Sequence, residues 1–349
     1  MTPLVSILIP AYNAERWIGD TIQSALVQTW PRTEIIIVDD GSRDRTLRVA
    51  RQFASRNVSV VTQENQGASA ARNRAFELCQ GDYIQWLDAD DLLSPDKVGR
   101  QIAAAEESQD KRRLFSSAWG YFIYRPYRAQ FLPTPLWRDL SPVEWLLRKM
   151  GQGLHMQTAT WLVSRELTEA AGRWDPRLSL DDDGEYFCRV IRACNAISFI
   201  SKAKVFYRQV GFGSLSCIDR SSGKFESLFL SMNLHIQYLR SLENSERTRL
   251  ACLNYIRTWL HQFYLYRPDI VEELKKITLQ LGGQFEQPRL SWKYNWMVKR
   301  FGWVPAKRAQ LLLPKLKASF INAWDRVLFS LEGGNLASSR GLPGGKSSG

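Results

Sequence analysis

The sequence contains few of the residues that build disulfide or zinc frameworks. Its 349 residues include five cysteines and three histidines. The number of cysteines is odd and none of them forms a Cys-x-x-Cys pair, so neither a disulfide framework nor a structural zinc site is indicated. We therefore expect reduced, mostly buried thiols, as in a cytoplasmic protein.

Long apolar runs and acidic residues are also scarce. No stretch of about 18 or more apolar residues occurs, which predicts that no helix spans a membrane. The first residues, MTPLVSILIPAYN, lack the basic start and the small-residue cleavage site of a secretory signal. Lys and Arg number 47 against 35 Asp and Glu, a net charge of +12. This excess indicates an anionic partner, and a nucleic acid, an anionic membrane surface and a phosphorylated substrate each fit.

The apolar residues have the spacing of alternating strands and helices. A hydrophobic fraction of 44% is typical of a globular protein with a buried core. The strands show no polar alternation, which favours a parallel, doubly wound sheet with helices on both faces. The predicted strands are 5–9, 34–38, 58–61 and 83–87, and the predicted helices are 14–29, 44–55 and 66–78.

Polar residues follow three of these strands, at 10–13, 39–42 and 88–91. Ligands of such sheets bind beyond the carboxyl ends of the strands. The last segment, Asp-Ala-Asp-Asp, places three carboxylates within four residues, and they repel one another unless a cation lies between them. Mg²⁺ and Mn²⁺ suit such a site, because they bind one or two carboxylates together with substrate phosphates. The alternative is a solvated cluster that caps the helix near residue 95.

Beyond residue 95 the pattern is less regular. Aromatic residues and four prolines over 112–147 predict loops and short elements. Further along the chain we expect a strand at 158–164, a helix at 184–193, a final strand ending at 207–208, helices over 222–280, basic helices over 286–331 and a disordered Gly- and Ser-rich tail at 333–349.

Six ordered motifs resemble those of the family 2 glycosyltransferases, which have the GT-A fold. The resemblance covers roughly residues 4–215. It implies a GT-A, Rossmann-like, mostly parallel sheet, followed here by a helical C-terminal extension. The motifs are VSILIPAYN (5–13), TIQSALVQTW (21–30), EIIIVDDGSRDRT (34–46), ENQGASAARNRAF (64–76), GDYIQWLDADD (81–91) and WDPRLSLDDDGEYFCRV (174–190).

The resemblance also implies a division of the chain and a reaction. The GT-A domain would occupy 1–218, with a nucleotide-binding half at 1–95 and an acceptor half at 96–218, before a helical basic region at 219–332 and the tail at 333–349. The reaction would be an inverting, metal-dependent transfer of a sugar from a nucleotide-diphospho sugar to an acceptor hydroxyl. A UDP-sugar is the commonest donor, and the acceptor would be a growing glycan or a lipid-linked sugar.

By position, the resemblance implies a nucleoside pocket. Pro10, Tyr12 and Asp40 would line it, with Asp40 accepting a hydrogen bond from the base. Asp39 would lie in the same pocket, and Arg72 would lie near the nucleotide.

The resemblance further implies a DxD metal site. Asp90 would ligate Mn²⁺ or Mg²⁺ directly, Asp88 would reach the ribose or a metal-bound water, and Asp91 would support both. Arg208 and the glycine-rich segment 211–214 could contact the diphosphate; a plain loop between domains is the alternative.

The acids at 181–183 are the candidates for the catalytic base. The family often has Glu-Asp six or seven residues before an arginine, and counting back from Arg189 places Asp183 at the Asp and Asp182 at the Glu. Asp183 would then deprotonate the acceptor hydroxyl, and Asp182 is its nearest competitor. An acidic first helical turn, favoured by the helix dipole, is the structural alternative. His155 could face the acceptor cleft or have only a structural role.

The basic carboxyl-terminal region leaves two interpretations open. It contains tryptophans, and its apolar residues recur every three or four positions. Such a region either lies in a membrane interface or packs as an ordinary helix on the catalytic domain. The first interpretation implies peripheral contact with the inner face of the membrane.

Other functional classes fit less well. No nucleic-acid recognition motif occurs, and Pro-Ala-Tyr-Asn at 10–13 occupies the place of a dehydrogenase glycine loop. A catalytically silent sugar-nucleotide scaffold at the membrane is the alternative function.

Overall fold

The structure is a computed structural model that describes residues 2–209, 222–288 and 292–332. Its strands in chain order are β1 Val5–Ala11, β2 Thr33–Asp39, β3 Val58–Thr62, β4 Tyr83–Trp86, β5 Leu92–Leu93, β6 Arg113–Phe122, β7 Gln130–Phe131, β8 Val163–Ser164 and β9 Ala196–Arg208.

Helices surround these strands and continue to the end of the described chain. They are α1 Ile18–Leu26, α2 Thr46–Arg51, α3 Ala68–Leu78, α4 Lys97–Ser108, α5 Pro142–Gln152, α6 Arg165–Ala171, α7 Asp182–Ala193, α8 Ser222–Leu242, α9 Glu246–Phe263, α10 Pro268–Gln280, α11 Asn295–Phe301 and α12 Trp303–Leu331. Short 3₁₀ turns lie at Pro126–Arg128, Thr158–Thr160 and Trp292–Tyr294.

The central sheet has the strand order β3-β2-β1-β4-β8. Its first four strands are parallel, and β8 pairs antiparallel with β4. Ala11 lies opposite Asp39, and Asp39 lies opposite Thr62, so three strands end at one edge. The predicted mostly parallel α/β sheet is therefore confirmed, and its polar strand ends meet as expected for a ligand edge.

A second sheet, β5-β9-β6-β7, corrects the prediction of loops and short elements over 112–147. Here β6 is a ten-residue strand that pairs in parallel with β9, with an irregularity at Ser117/Ala118. Nearly all of β6 is buried, and the hydroxyls of Ser116 and Ser117 donate to backbone carbonyls of Ser198 and Thr160. The apolar run of β6 is interrupted by Ser116, Ser117 and Gly120, which is why the sequence pattern did not reveal it.

The strand predicted at 158–164 is also wrong for its first half. Residues 158–160 form a 3₁₀ turn, and only Val163–Ser164 pair as a strand. Side-chain amides replace the missing strand partners: Gln85 donates to the Ala159 carbonyl at 2.8 Å, and Gln101 donates to the Thr160 carbonyl at 2.9 Å. Buried backbone groups need a partner but not a strand.

The helices α8 and α9 extend the core of the sheet rather than forming a separate one. Buried residues of the sheet, such as Trp86, belong to the same apolar cluster as Met232 of α8 and Tyr255 of α9. The division at residue 218 stays a prediction, because it falls in a segment outside the described residues, as do segment 211–214 and the tail 333–349. None of the helices in the described chain combines the length and apolarity that a membrane crossing needs.

Candidate active site

The carboxylate of Asp40 is buried and fully occupied by the loop that follows β3. It accepts hydrogen bonds from the Gln63 and Asn65 side-chain amides at 2.8 and 3.1 Å. The backbone N–H groups of Gln66 and Gly67 donate to it at 3.0 and 2.8 Å. Asp40 therefore fixes the entry into α3, and a hydrogen bond to a nucleotide base would have to share these lone pairs.

Asp39, unlike Asp40, has a carboxylate oxygen without a hydrogen-bond donor among the described residues. Its Oδ2 accepts from the Ser42 N–H at 3.3 Å and from the Thr62 hydroxyl at 3.2 Å. Its Oδ1 is buried and has no partner among the described residues. A buried acceptor without a donor is costly, so this oxygen is the one suited to a donor from a ligand. Pro10 is partly buried and Tyr12 is 43% exposed at the end of the neighbouring strand.

Arg72 joins the two acidic motifs. From α3 its guanidinium donates to Asp88 Oδ1 at 2.8 Å and to Asp182 Oδ2 at 2.6 Å. The guanidinium lies 4.4 Å from the centre of the Trp174 ring, and the residue is only 5% exposed. A planar guanidinium can bond two carboxylates at once. Arg72 thus brings the strand-end acids and the start of α7 to one cleft.

The acids after β4 have unequal surroundings. Burial, and then the charge of Asp88, raises the pKa of Asp90 to about 6. Asp91 is fully buried, accepts from the Arg208 N–H at 2.8 Å and from the Gln157 amide, and burial raises its pKa well above the usual range. Asp91 is thus held inside the protein, whereas Asp88 and Asp90 are partly exposed.

Arg208 lies behind this acidic loop. Its guanidinium packs over Trp17 at 4.3 Å, and the side chain is buried. Its donors reach the Asp90 carbonyl at 2.8 Å, the Ile123 carbonyl at 3.3 Å and Asp20 Oδ2 at 3.3 Å. Arg208 therefore fixes the backbone of the DxD loop, and the expected contact with a diphosphate would have to displace these bonds.

The two candidate bases at the start of α7 differ in their partners. Asp182 forms the ion pair with Arg72, and burial raises its pKa to about 6 despite that arginine. Asp183 accepts from the Thr158 hydroxyl at 3.1 Å and from the Gly184 N–H at 2.8 Å. Within the described residues no cation lies at ion-pair distance from Asp183, whereas Asp182 is paired with Arg72.

Asp181, the one acid of the 181–183 block to which sequence reasoning gave no separate role, sets the start of α7. Its φ of 58° is in the left-handed region, and its Oδ2 accepts from the Ser231 hydroxyl of α8 at 2.5 Å. A Cβ on Gly184 would lie 2.0 Å from Asp181 Oδ1, so a larger residue there would displace the Asp181 carboxylate. The sequence signal for this tight turn is the glycine that follows three aspartates. Through Ser231, the helical region thereby holds the acidic turn in place.

Aromatic residues from β6 and β9 form a group beside the acids. The Trp119 ring lies 4.7 Å from Tyr121, 5.9 Å from Tyr207 and 5.1 Å from the exposed His155. Burial and then the charges of Asp91 and Asp90 raise the pKa of Tyr207. Sequence reasoning missed these aromatics because β6 itself was missed.

The DxD acids fit a divalent cation. Within the described residues, no group of three or more His, Cys, Asp or Glu side chains could hold a metal by itself. Two carboxylates are the usual protein share when Mg²⁺ also binds substrate phosphates. Burial, and then the negative charge of Asp88, raises the pKa of Asp90, and such an ion would offset that charge.

Comparison with known proteins supports the family resemblance. Residues 6–136 match Glycosyl transferase family 2. Similarity to family 2 is thus found over a segment that is less than half of the chain. EpsJ of Bacillus subtilis, named as an uncharacterized glycosyltransferase, is 30% identical over 217 residues, which are 60% of this chain and 62% of EpsJ. The Escherichia coli chondroitin synthase is 47% identical over 98 residues, covering 28% of this chain and 14% of the synthase.

Solved structures agree on the fold. TarS 1–349 of S. aureus in complex with UDP has a TM-score of 0.59 and 17% identity, covering 76% of this chain and 73% of that one. The TarS complex with UDP-GlcNAc has a TM-score of 0.57 at 15% identity, covering 81% of this chain and 93% of that one. The chain has the GT-A fold. The chain spans less than two thirds of the length of the curated relatives it matches.

Replacing Arg72 by lysine should destabilise the protein. A lysine ammonium cannot bond Asp88 and Asp182 in the same planar arrangement, so one buried carboxylate loses its partner. We expect a loss of about 1–3 kcal/mol in the free energy of unfolding, measured by urea denaturation. Arg74→Lys on the same helix is the control, because Arg74 is exposed and should change stability by less than about 0.5 kcal/mol. Equal effects of the two substitutions would contradict the bridging role.

The stability of the metal-free protein should depend on the ionisation of Asp90. Its pKa rises from an ordinary value of 3.8 to about 6 on folding. The folded state therefore binds this proton more tightly than the unfolded state does. The resulting stabilisation is present at low pH and is lost as pH rises through 6. Asp90→Asn should therefore be more stable than the wild type at pH 7.5, by on the order of 1–2 kcal/mol, and the difference should shrink toward pH 4.

Thermal unfolding in EDTA at several pH values measures this difference. Burial, and then the charge of Asp90, raises the pKa of Asp91, so the measured difference reports the titration of these two neighbouring acids together. Asp269→Asn is the control, since the Arg267 side chain lowers the pKa of that exposed carboxyl and moves its titration below this range. A difference that does not change with pH would refute the assignment.

Proposed function

We propose that this chain is a glycosyltransferase that moves a sugar from a nucleotide-diphospho sugar to an acceptor hydroxyl. The supporting observation is the Arg72 bridge, which places the DxD acids and the acids of α7 around one cleft. Transfer needs both groups together: one set holds the diphosphate that leaves, and the other takes the proton of the attacking hydroxyl. No observation favours a catalytically silent scaffold.

The donor nucleoside binds at the ends of β1 and β2. The exposed Tyr12 ring offers a surface for the base, with Pro10 beside it, and the unpartnered Asp39 Oδ1 accepts a hydrogen bond from the base or the ribose. Asp40 holds the loop that closes the pocket. The TarS structures contain UDP and UDP-GlcNAc, which makes uridine nucleotides the first donors to test.

Asp90 and Asp88 are the residues that would hold a Mn²⁺ or Mg²⁺ ion. When bound, the ion would offset the negative charge that develops on the leaving diphosphate. Asp91 and Arg208 keep the backbone of this loop in place.

Asp183 is the general base. It takes the proton of the acceptor hydroxyl while that oxygen bonds to the anomeric carbon on the face opposite the diphosphate. The bond between that carbon and the diphosphate oxygen breaks in the same step, so the anomeric configuration inverts. The Thr158 hydroxyl orients the Asp183 carboxylate, and Asp182 stays paired with Arg72.

The acceptor is a hydroxyl of a growing glycan or a lipid-linked sugar. Relatives named for teichuronic acid biosynthesis and chondroitin synthesis support polysaccharide synthesis as the setting. A lipid-linked acceptor would place the enzyme at the membrane surface.

Nucleotide binding should require both the metal and Asp90. Calorimetric titration with UDP, GDP and dTDP, with and without Mn²⁺, should find one nucleotide that binds at least tenfold more tightly with the metal, since both carboxylates and phosphates contribute ligands. Asp90→Asn should abolish that gain, and Asp269→Asn on the exposed start of α10 should retain it. Binding that ignores the metal would remove Asp90 from the donor site.

Substitution of the two α7 acids should distinguish the base. Asp183→Asn should lower the turnover of the donor identified above by about 10²-fold or more while nucleotide affinity is retained, because only proton removal is lost. Asp182→Asn should mainly lower stability, since it breaks the pair with Arg72. The measurement is nucleoside diphosphate release with a panel of glycan acceptors. A larger loss of turnover in Asp182→Asn would assign that residue as the base.

A further inference from the structure

The final helix packs on the catalytic domain through acidic side chains. Arg125, only 12% exposed, pairs with Asp325 at 2.6 Å and with Glu332 at 2.9 Å. The Tyr124 N–H also donates to Asp325 at 3.1 Å, and the Tyr124 ring stacks on Phe329 with centroids 5.8 Å apart. Over residues 321–332, α12 therefore contacts the protein through two acids and one aromatic ring.

The apolar side of α12 faces outward. Its exposed residues are spaced by three or four positions and therefore share one face of the helix. This arrangement is the reverse of an ordinary surface helix, which buries its apolar stripe. The neighbouring helix α11 adds two exposed aromatic side chains. The exposed fractions are 46% for Ile321, 59% for Trp324, 50% for Val327, 78% for Leu331, 63% for Trp296 and 57% for Phe301.

Charge indicates what covers this face. Residues 286–332 contain nine Lys and Arg against three Asp and Glu, and two of those acids are bound by Arg125. Lys299, Arg300 and Arg326 are exposed on the same two helices. Tryptophan beside aliphatic residues and basic charge is the composition of helices that lie in the interface of an anionic bilayer.

We propose that the face formed by Ile321, Trp324, Val327 and Leu331 docks on an anionic lipid bilayer surface. The helix lies on the bilayer and does not cross it. Docking holds the catalytic domain against the membrane through Arg125, and the exposed basic residues contact lipid phosphates. Docking on the bilayer would place the cleft beside lipid-linked acceptors, which extends the proposed function. The docking itself does not depend on that function.

A short series of contacts connects this face to the DxD loop. The Tyr124 ring lies 5.5 Å from Trp17, whose ring lies over the Arg208 guanidinium. Arg208 in turn donates to the carbonyl of Asp90. The docking helix and the metal-ligating loop are thus parts of one packed unit, so a fixed orientation on the bilayer also fixes the orientation of the cleft.

Vesicle flotation tests the proposal. The full chain should float with vesicles containing phosphatidylglycerol and bind at least tenfold less to pure phosphatidylcholine. The double variant Trp324→Ser/Val327→Ser should lose at least tenfold in partitioning, because it removes apolar area from the face without touching Arg125. The matched control is Leu250→Ser/Leu279→Ser, which removes two equally exposed apolar side chains from other helices.

Three results would overturn the proposal. The first is the absence of flotation, and the second is an equal loss of partitioning in the two double variants. The third is a dimer in size-exclusion chromatography that Trp324→Ser/Val327→Ser converts to a monomer, because a second copy of the chain would then cover this face. Nucleotide titration of the same proteins separates this question from catalysis. The Trp324→Ser/Val327→Ser variant should bind nucleotide like the wild type. If the wild-type chain floats with vesicles but binds no nucleotide, only the proposed function is refuted.

Discussion

Repulsion between carboxylates is the constraint that organises this site, and Arg72 is the residue that meets it. Asp88 and Asp90 follow a strand, and Asp182 and Asp183 begin a helix, yet all border one cleft. Two of the four are bound by a single buried guanidinium. The other two acids have different surroundings: burial, and then the charge of Asp88, raises the pKa of Asp90, whereas Asp183 accepts from a hydroxyl and a backbone N–H. Arg72 thus neutralises one acid of each pair and leaves the other without an arginine partner.

Packing around this ion pair explains why the helical region belongs to the catalytic unit. The guanidinium lies on Trp174, which stacks on Tyr186 with ring centres 4.0 Å apart. From the other side, Ser231 of α8 holds Asp181, which begins α7. The position of the acidic turn is therefore determined by both the sheet and the carboxyl-terminal helices. A change in either one therefore alters the distance between the DxD acids and the acids that begin α7.

Sequence patterns predicted those elements whose signals lie within a few consecutive residues. The parallel strands of the first 90 residues are apolar runs bounded by turns, and their polar ends identified the ligand edge. The ten-residue β6 had no such signal, because two serines and a glycine interrupt its apolar run, and only the fold reveals that the serines bond to backbone carbonyls. The same limit applied to the site. The sequence supplied Asp88, Asp90, Asp182 and Asp183, but the pairing of Arg72 with acids from two distant segments depends on tertiary packing.

The respective roles of Asp39 and Asp40 show the same limit. Both follow β2, and only the folded loop reveals that Asp40 is saturated while Asp39 retains a free acceptor. A one-residue difference in position thus produces opposite roles for identical side chains.

The acidic contact of α12 with Arg125 affects how a minimal version of this protein could be made. The family match ends at residue 136, which suggests that a short expression fragment would retain the activity. Yet a chain cut before residue 303 would leave the Arg125 guanidinium without its two carboxylates and Tyr124 without Phe329. Tyr124 touches Trp17, and Trp17 covers the arginine that holds the DxD backbone. The smallest fragment that preserves the geometry of the cleft therefore extends through Glu332, far beyond the conserved-family boundary.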